Sequence, residues 1–278
     1  MSHARVPILD TILKSWTDAF RAIRAMPLVG ACGLVLHTLI VTSAFFAASS
    51  ILMHHGRSVQ EWTASPAWFV FTVFNAAIRV VLLAPLFIAI HRYVIRGECA
   101  RGYPLNPLRP SYTRYVGAAL LALIAFRLPE LMGVWLAWAR QFMLFDLVFL
   151  LLAYATMLTV AVIVLGKITA FPAIAVGAPK ANWLNTEFPS VGQLMRTIAV
   201  LIGVVAPAQL AGWLLQAYVP APFWPNGNGN IVPTLARVLV DFPALCALAA
   251  AMSRLYLVTA TQSVGTVSAA ADGHPATA

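Results

Sequence analysis

The feature that most constrains this chain is the apolar stretch of residues 67–95, which contains an arginine near its middle. About 20 consecutive apolar residues are enough for a helix to cross the roughly 30 Å hydrocarbon core of a bilayer. The stretch is longer than that, and it ends in the basic residues His91 and Arg92. An ionisable side chain at bilayer depth, such as that of Arg79, is energetically costly and needs a partner or a function. The stretch therefore predicts a membrane protein with a charge inside the bilayer.

The composition of the whole chain agrees with this prediction. Hydrophobic residues make up 61% of the 278 residues and charged residues only 10%, whereas soluble chains carry about 25% charged residues. The net charge of +9 comes from basic residues between apolar stretches, where they set membrane orientation. We therefore expect no binding to nucleic acid. The cysteines Cys32, Cys99 and Cys246 lack the spacing of a disulfide framework or a zinc site, and we expect no metal and no cofactor.

The apolar stretches together predict an all-α, polytopic membrane protein with six transmembrane helices. The predicted spans are residues 28–53, 67–95, 116–138, 142–165, 197–219 and 234–260. The first stretch is too long for a signal peptide and lacks a suitable cleavage pattern, so we interpret it as a retained span. We expect residues 1–27 to form a cytoplasmic amphipathic helix, residues 28–260 the transmembrane domain, and residues 261–278 a disordered cytoplasmic tail, because the tail lacks apolar periodicity.

The segment before the first span has the periodicity of an amphipathic helix. Apolar residues such as Leu9, Leu13, Trp16 and Phe20 recur at helical spacing over residues 6–26, with charged residues on the other faces. Such a helix can lie in the membrane interface with its apolar face in the lipid. It can equally pack against cytoplasmic loops of the same protein. The sequence favours the two arrangements equally.

The basic residues are distributed asymmetrically between the two sides of the predicted membrane. With six spans both termini lie on one side, which carries thirteen lysines and arginines, whereas the other side carries three. Basic residues concentrate in cytoplasmic loops. The thirteen are Arg5, Lys14, Arg21, Arg24, Arg92, Arg96, Arg101, Arg109, Arg114, Lys167, Lys180, Arg196 and Arg254. The bias predicts that both termini are cytoplasmic.

Several polar residues lie at the midplane or in the outer half of the predicted spans, and these residues are the first candidate site. They are Asn75, Arg79, Arg127, Glu130, Asp146, Arg237 and Asp241. Three of the pairs have the three- or four-residue spacing that places side chains on one helix face. Polar groups at this depth almost always face the interior of a helix bundle. They form either an ion-pair network that fixes the packing of the spans or a polar cavity that binds a ligand, which prolines within the spans would help to line.

The first span contains one ionisable residue, His37. We interpret it as a neutral imidazole bonded to a backbone carbonyl, in preference to a proton relay. It is therefore not part of the candidate site predicted from the sequence.

The second candidate site is the loop after the second span, which is rich in arginine and proline. Its arginines are Arg92, Arg96, Arg101, Arg109 and Arg114, with Glu98 as the one acidic residue among them. The simplest interpretation is a loop that fixes orientation. The alternative is a site for anionic lipid headgroups, which basic cytoplasmic clusters attract. The prolines argue against a long helix in this loop.

Four short segments carry a resemblance to a known group of proteins. They are AFRAIRAMPLV before the first span, HRYVIRGE at the end of the second, TAFPAIAVG after the fourth, and SRLY near the end of the sixth. Together they resemble uncharacterised bacterial multi-pass membrane proteins, a group similar to the membrane domain fused to some glycerophosphodiester phosphodiesterases. The resemblance implies a six-helix fold in the bacterial inner membrane. It implies no phosphodiesterase activity, because no segment between the spans is long enough to form a catalytic barrel.

The sequence contains no H-E-x-x-H, no G-x-S-x-G and no P-loop motif, which argues against an enzyme. The leading hypothesis is a non-enzymatic inner-membrane protein whose polar residues bind or move a small polar or lipid-like ligand. The alternative is an accessory or assembly subunit that packs on a larger membrane complex. A third hypothesis, a membrane-embedded lipid enzyme, requires acid–base catalysis by Glu130 or Asp146. The expected partners are the bilayer, anionic lipids at the cytoplasmic face and, for the alternative, another membrane protein.

Overall fold

A computed structural model describes residues 8–55, 65–139, 145–178, 189–218 and 231–271. Within these ranges the chain forms helices and no β-strand. In chain order the helices are α1 (Ile8–Ala25), α2 (Pro27–His55), α3 (Pro66–Arg96), α4 (Pro110–Ala139), α5 (Phe145–Gly166), α6 (Ala170–Ala175), α7 (Val191–Tyr218) and α8 (Val232–Ala271). The predicted all-α class is confirmed for the described residues.

Four of these helices are long and apolar enough to cross a membrane. The segments that meet this criterion are Pro27–Ser50, Ala67–Arg96, Val191–Leu215 and Thr234–Ala260, within α2, α3, α7 and α8. Helix α5 contributes a shorter apolar segment, Tyr154–Gly166. The structure therefore supports a membrane protein with at least these four candidate spans among its described residues.

Local chemistry sets the ends of α3. The Ser65 hydroxyl accepts a hydrogen bond from the Trp68 amide at 3.2 Å, and Pro66 occupies the first turn, where a missing N–H is tolerated. At the other end Gly97 has φ 68° and its amide donates to the Tyr93 carbonyl at 2.9 Å. This left-handed conformation favours glycine and stops the helix. The predicted proline-rich loop after the second span follows directly, and it is irregular up to the start of α4.

Helix α8 is the centre of the bundle. It packs against α1, α2, α3, α6 and α7. Its contact surface is built from small residues, and Ala247, Ala249, Ala250 and Ala251 are fully buried. Small side chains allow helix backbones to approach closely, which is how membrane helices gain van der Waals contact without a hydrophobic driving force.

Helix α1 packs into the bundle through its small residues. The side chains of Thr11, Ser15, Ala19 and Ala22 are buried, and α1 contacts α8, α7, α3 and α2. Ile12, Trp16 and Ile23 also pack against the core, whereas Leu9, Leu13 and Phe20 point away from the bundle, Leu13 with 59% of its surface exposed. The helix is therefore part of the protein core on one face and apolar on the opposite face.

The C-terminal helix is longer than the sequence predicts. The disordered tail was expected from Thr261, but α8 continues to Ala271. The segment contains several alanines and no proline before Ala271, so nothing in it breaks a helix that is already formed. Residues 272–278 lie outside the described ranges.

Candidate functional site

Three helices bring polar residues together inside the bundle. His37 of α2, Arg79 of α3 and Asp241 of α8 lie close enough to interact electrostatically, and Arg237 of α8 approaches Asp241 with 3.4 Å between Nε and Oδ2. We call these four residues the polar cluster. The helices that carry them pack pairwise against one another, so the cluster is held by the central contacts of the bundle.

Two members of the polar cluster have buried polar atoms without hydrogen bonds. Within the described part of the chain, Arg79 Nε and both ring nitrogens of His37 have no hydrogen-bond partner. His37 is 1% exposed and lies against the Phe242 ring, with 6.2 Å between ring centroids. A buried donor without a partner loses its solvation and gains nothing in return, which costs about 1–3 kcal/mol and more for a charged group. The arrangement is therefore incomplete without a further polar group.

The structure changes the predicted membership of this site. Arg79, Arg237 and Asp241 were predicted from the sequence, whereas His37 was interpreted as bonded to a backbone carbonyl. That interpretation is wrong, because neither ring nitrogen of His37 has such a bond among the described residues. Sequence spacing could not reveal this, since His37 meets Asp241 only through the contact between α2 and α8. The sequence feature that could have pointed to His37 as a site residue is that it is the only ionisable residue of its span.

The remaining predicted residues lie on other helices or outside the described side chains. Asn75 lies four residues before Arg79 on α3, as predicted, and the structure describes no hydrogen bond between their side chains. Arg127 lies on α4, which packs against α3, α5 and α6. The side chains of Glu130 and Asp146 are outside the described part of the structure. Their participation in the site therefore stays a prediction.

A cavity of about 400 Å³ lies between α3 and the loop that follows it. Three of the five arginines predicted for the loop line it, namely Arg92, Arg101 and Arg109, together with Glu98. Arg96 and Arg114 do not line it. We call this cavity the basic pocket. Pro85, Ile88 and Ala89 of α3 also line the basic pocket. The predicted placement of the arginines is wrong for three of the five, because α3 extends to Arg96 and α4 begins at Pro110, so that only Arg101 and Arg109 lie in the loop.

Tyr103 of the loop and Tyr112 in the first turn of α4 both bond to backbone carbonyls of α3 beside the basic pocket. The Tyr112 hydroxyl donates to the Val81 carbonyl at 2.9 Å, and the Tyr103 hydroxyl donates to the Leu82 carbonyl at 2.5 Å. Val81 is four residues before Pro85, which has no N–H to offer to that carbonyl. Tyr112 therefore supplies the donor that the proline removes. Burial raises the pKa of Tyr103 above the usual value for a phenol, which keeps its hydroxyl protonated as a donor.

A third group of polar residues is buried at the same end of α3. His91 and Ser253 are fully buried and Tyr115 is 3% exposed. His91 Nδ1 lies 2.7 Å from Ser253 Oγ, and His91 Nε2 lies 3.2 Å from Tyr115 Oη. The Ser253 hydroxyl donates to the Ala249 carbonyl at 3.1 Å. With the proton of the neutral imidazole on Nδ1, every donor in the series meets an acceptor, so this group is complete and joins α3, α4 and α8.

Neither the polar cluster nor the basic pocket has the composition of a metal centre. Among the described residues, no group of three or more histidine, cysteine, aspartate or glutamate side chains lies in a metal-binding arrangement. Comparison of the chain with protein-family models, with curated proteins and with solved structures gives no match. The resemblance noted from the four short segments therefore stays a prediction, and function is argued from the geometry alone.

Proposed function

We propose that this protein is a non-enzymatic integral protein of the bacterial inner membrane, and that it binds or moves a small polar or lipid-like ligand at the polar cluster. The observation that carries the proposal is the Arg79 guanidinium, whose Nε is buried without a hydrogen-bond partner in the described residues. Ionisable groups within a membrane are functional candidates by default. His37 adds two more unsatisfied nitrogens at the same place.

The charges of the polar cluster define the chemistry of the ligand. Arg79 and Arg237 provide two positive charges and Asp241 provides one negative charge, and Asp241 is already engaged by Arg237 at 3.4 Å. One positive charge is therefore uncompensated within the polar cluster. A ligand that completes it carries a hydrogen-bond acceptor or an anionic group toward Arg79, because charge-assisted hydrogen bonds are the strongest available there.

The contacts at the basic end of the bundle support the predicted topology. Arg254 of α8 binds Asp18 of α1, with 2.6 Å between Nε and Oδ2, and Arg92 Nε donates to the Ala175 carbonyl at 2.8 Å. The Tyr115 ring packs against Phe171 with 5.4 Å between ring centroids. These contacts join α1 to α8 and join α6 to α3 and α4 at residues near the basic segments, which suits six spans with both termini cytoplasmic.

In this topology α1 lies at the cytoplasmic membrane surface. Its small residues face the bundle, and Leu9, Leu13 and Phe20, each more than half exposed, face the lipid. The helix then both lies in the membrane interface and packs against the rest of the protein, which are the two arrangements considered from the sequence. The exposed leucines and phenylalanine anchor α1 in the interface, while its contacts with α8 and α7 fix its position.

Native mass spectrometry of the protein, extracted gently from its own membrane, tests the proposed function. We expect a reproducible small-molecule or lipid adduct on the wild type that is lost in Arg79→Met. The matched control is Arg196→Met, which makes the same change at an exposed arginine of α7. The control variant should keep the adduct. Adduct loss in both variants, or in neither, would overturn binding at the polar cluster.

The same measurement distinguishes the alternative function from ligand binding at the polar cluster. An accessory or assembly subunit would leave the membrane with a stoichiometric protein partner and without a small adduct. That result would mean that the charged residues of the polar cluster serve to hold the helices together. The large apolar side chains exposed on α3 and α5, such as Phe74 and Leu158, are expected for lipid contact in either case.

A further inference from the structure

We propose that the basic pocket is a binding site for a phosphate ester, independent of the polar cluster. The pocket has a volume of about 400 Å³, which lies within the roughly 300–1,000 Å³ typical of small-molecule sites. Three arginines line it together with residues of α3. A basic loop that only sets orientation needs no such cavity.

The walls of the basic pocket are fixed before any ligand arrives. Tyr103 of the loop donates to the Leu82 carbonyl, and the Ala100 amide contacts Met26 Sδ at 3.2 Å. The loop is therefore attached to α3 at one point and to the junction of α1 and α2 at a second, and Tyr112 of α4 holds the start of α4 against the Val81 carbonyl. A pre-formed site spends little binding free energy on ordering the loop.

The charges that line the basic pocket suit an anionic group. Arg92, Arg101 and Arg109 face the cavity with Glu98 as the acidic residue among its lining residues, and Glu98 is paired with Arg96 at 3.4 Å. Arg92 is fixed in place because its Nε donates to the Ala175 carbonyl. A guanidinium carries five N–H donors, so Arg92 retains four for a ligand. Arginine matches the geometry of phosphate oxygens with paired hydrogen bonds.

The lining of the basic pocket suits more than one source of phosphate ester. Pro85, Ile88 and Ala89 of α3 line the pocket, but all three are buried, so they add little apolar surface to it. In a phospholipid the phosphate is linked through glycerol to the apolar acyl chains. Basic pockets at the cytoplasmic side of membrane helices bind such headgroups. A soluble phosphate ester shares the same phosphate chemistry. The phosphate is therefore the recognised group, and the source of the ester is decided by experiment.

The test compares two double variants with equal changes in charge. Arg101→Gln with Arg109→Gln removes two arginines that line the pocket, whereas Arg24→Gln with Arg114→Gln removes two exposed basic residues that do not. Arg96 is kept in both, because it pairs with Glu98. Binding of phosphatidylglycerol to the detergent-solubilised full-length protein is measured by native mass spectrometry, with phosphatidylcholine as the reference lipid.

We expect the lining variant to lose at least about tenfold in phosphatidylglycerol affinity, since each basic residue near an anionic headgroup contributes about 1 kcal/mol. The control variant should lose no more than about twofold. Equal losses of phosphatidylglycerol affinity in the two variants would show that diffuse positive charge attracts the lipid, and would overturn binding in the pocket. Unchanged binding in both variants would overturn it as well. Because the four substituted residues are exposed, all variants should fold, and equal thermal unfolding temperatures would verify this.

Competition identifies the source of the ester. Glycerol 3-phosphate added in solution should displace bound phosphatidylglycerol poorly if the pocket takes a lipid and efficiently if it takes a soluble ester, and both outcomes support phosphate recognition. Arg79→Met should leave phosphatidylglycerol affinity unchanged. Failure of the proposed function is therefore distinguishable from failure of the basic pocket.

Discussion

Arg254 of α8 forms an ion pair with Asp18 of α1, 236 residues earlier in the chain. Both Nε and Nη2 of Arg254 contact Asp18 Oδ2. The Asp18 side chain is only 14% exposed. This contact joins the first and last described helices of the protein on the side where basic residues concentrate, and it fixes α1 against the bundle.

We expect a double-mutant cycle with Asp18→Asn and Arg254→Gln to give a coupling free energy of about 1–3 kcal/mol, as for hydrogen bonds to charged groups. The exposed pair Lys14–Asp10 on the same helix, 2.7 Å apart, is the control and should give at most about 0.5 kcal/mol. Unfolding in mixed detergent micelles measures both cycles. Equal coupling in the two pairs would contradict a specific role for the contact between α1 and α8.

Opposite changes in the polar cluster should have opposite effects on stability. Arg79→Met removes a buried charge that lacks a hydrogen-bond partner at Nε, so the ligand-free protein should be as stable as the wild type or more stable. Asp241→Leu leaves Arg237 and Arg79 without their counter-charge and should cost about 3–5 kcal/mol. Thermal unfolding of delipidated protein checks both variants. Strong destabilisation by Arg79→Met would show that Arg79 stabilises the fold.

The Tyr112 hydroxyl should contribute to stability only because Pro85 is present. Tyr112→Phe leaves the Val81 carbonyl without the donor it has in the wild type and should cost about 1–3 kcal/mol. Pro85→Ala restores a backbone N–H for that carbonyl, so Tyr112→Phe should cost clearly less in the Pro85→Ala background. A full cost in both backgrounds, measured by thermal unfolding, would contradict this compensation.

The contact between Tyr103 and Leu82 predicts a loss of stability in alkali. Because burial raises the folded-state pKa of Tyr103 above the unfolded value of about 10, its stabilising effect is complete below about pH 10. The effect is lost as the pH rises further, since the unfolded chain ionises first. Unfolding followed between pH 8 and 11.5 should show a steeper decline for the wild type than for Tyr103→Phe. Parallel pH profiles would contradict the prediction.

The contact between α1 and α7 depends on Gly203. A Cβ atom at this position would overlap Ile12 Cδ1 and lie 3.1 Å from Ile12 Cγ1, so Gly203→Ala should destabilise the protein by about 1 kcal/mol through overpacking. Ile12→Ala should remove most of that cost. At Gly192 of the same helix a Cβ meets nothing within 4 Å, so Gly192→Ala should be neutral or stabilising, and thermal unfolding compares the three. A similar loss at both glycines would exclude close packing as the cause.

The sequence by itself determined the features that depend on neighbouring residues. Runs of apolar residues long enough for a bilayer predicted six spans, and the four in α2, α3, α7 and α8 are long and apolar enough in the described residues. The prolines after Gly97 predicted an irregular loop. The four-residue spacing of Arg237 and Asp241 put them on one helix face, where the structure finds them 3.4 Å apart. These features follow from the fixed rise and period of a helix, which the chain carries locally.

Only the tertiary structure decided which helices meet. His37 joins Arg79 and Asp241 because α2, α3 and α8 pack together, and no spacing along the chain encodes that contact. Likewise Arg92 of α3 and the loop residues Arg101 and Arg109 line one cavity, because Tyr103 of the loop and Tyr112 of α4 bond to α3 carbonyls beside Pro85. Long-range packing selects one set of contacts among many with the same local pattern, and in this protein that selection creates both candidate sites.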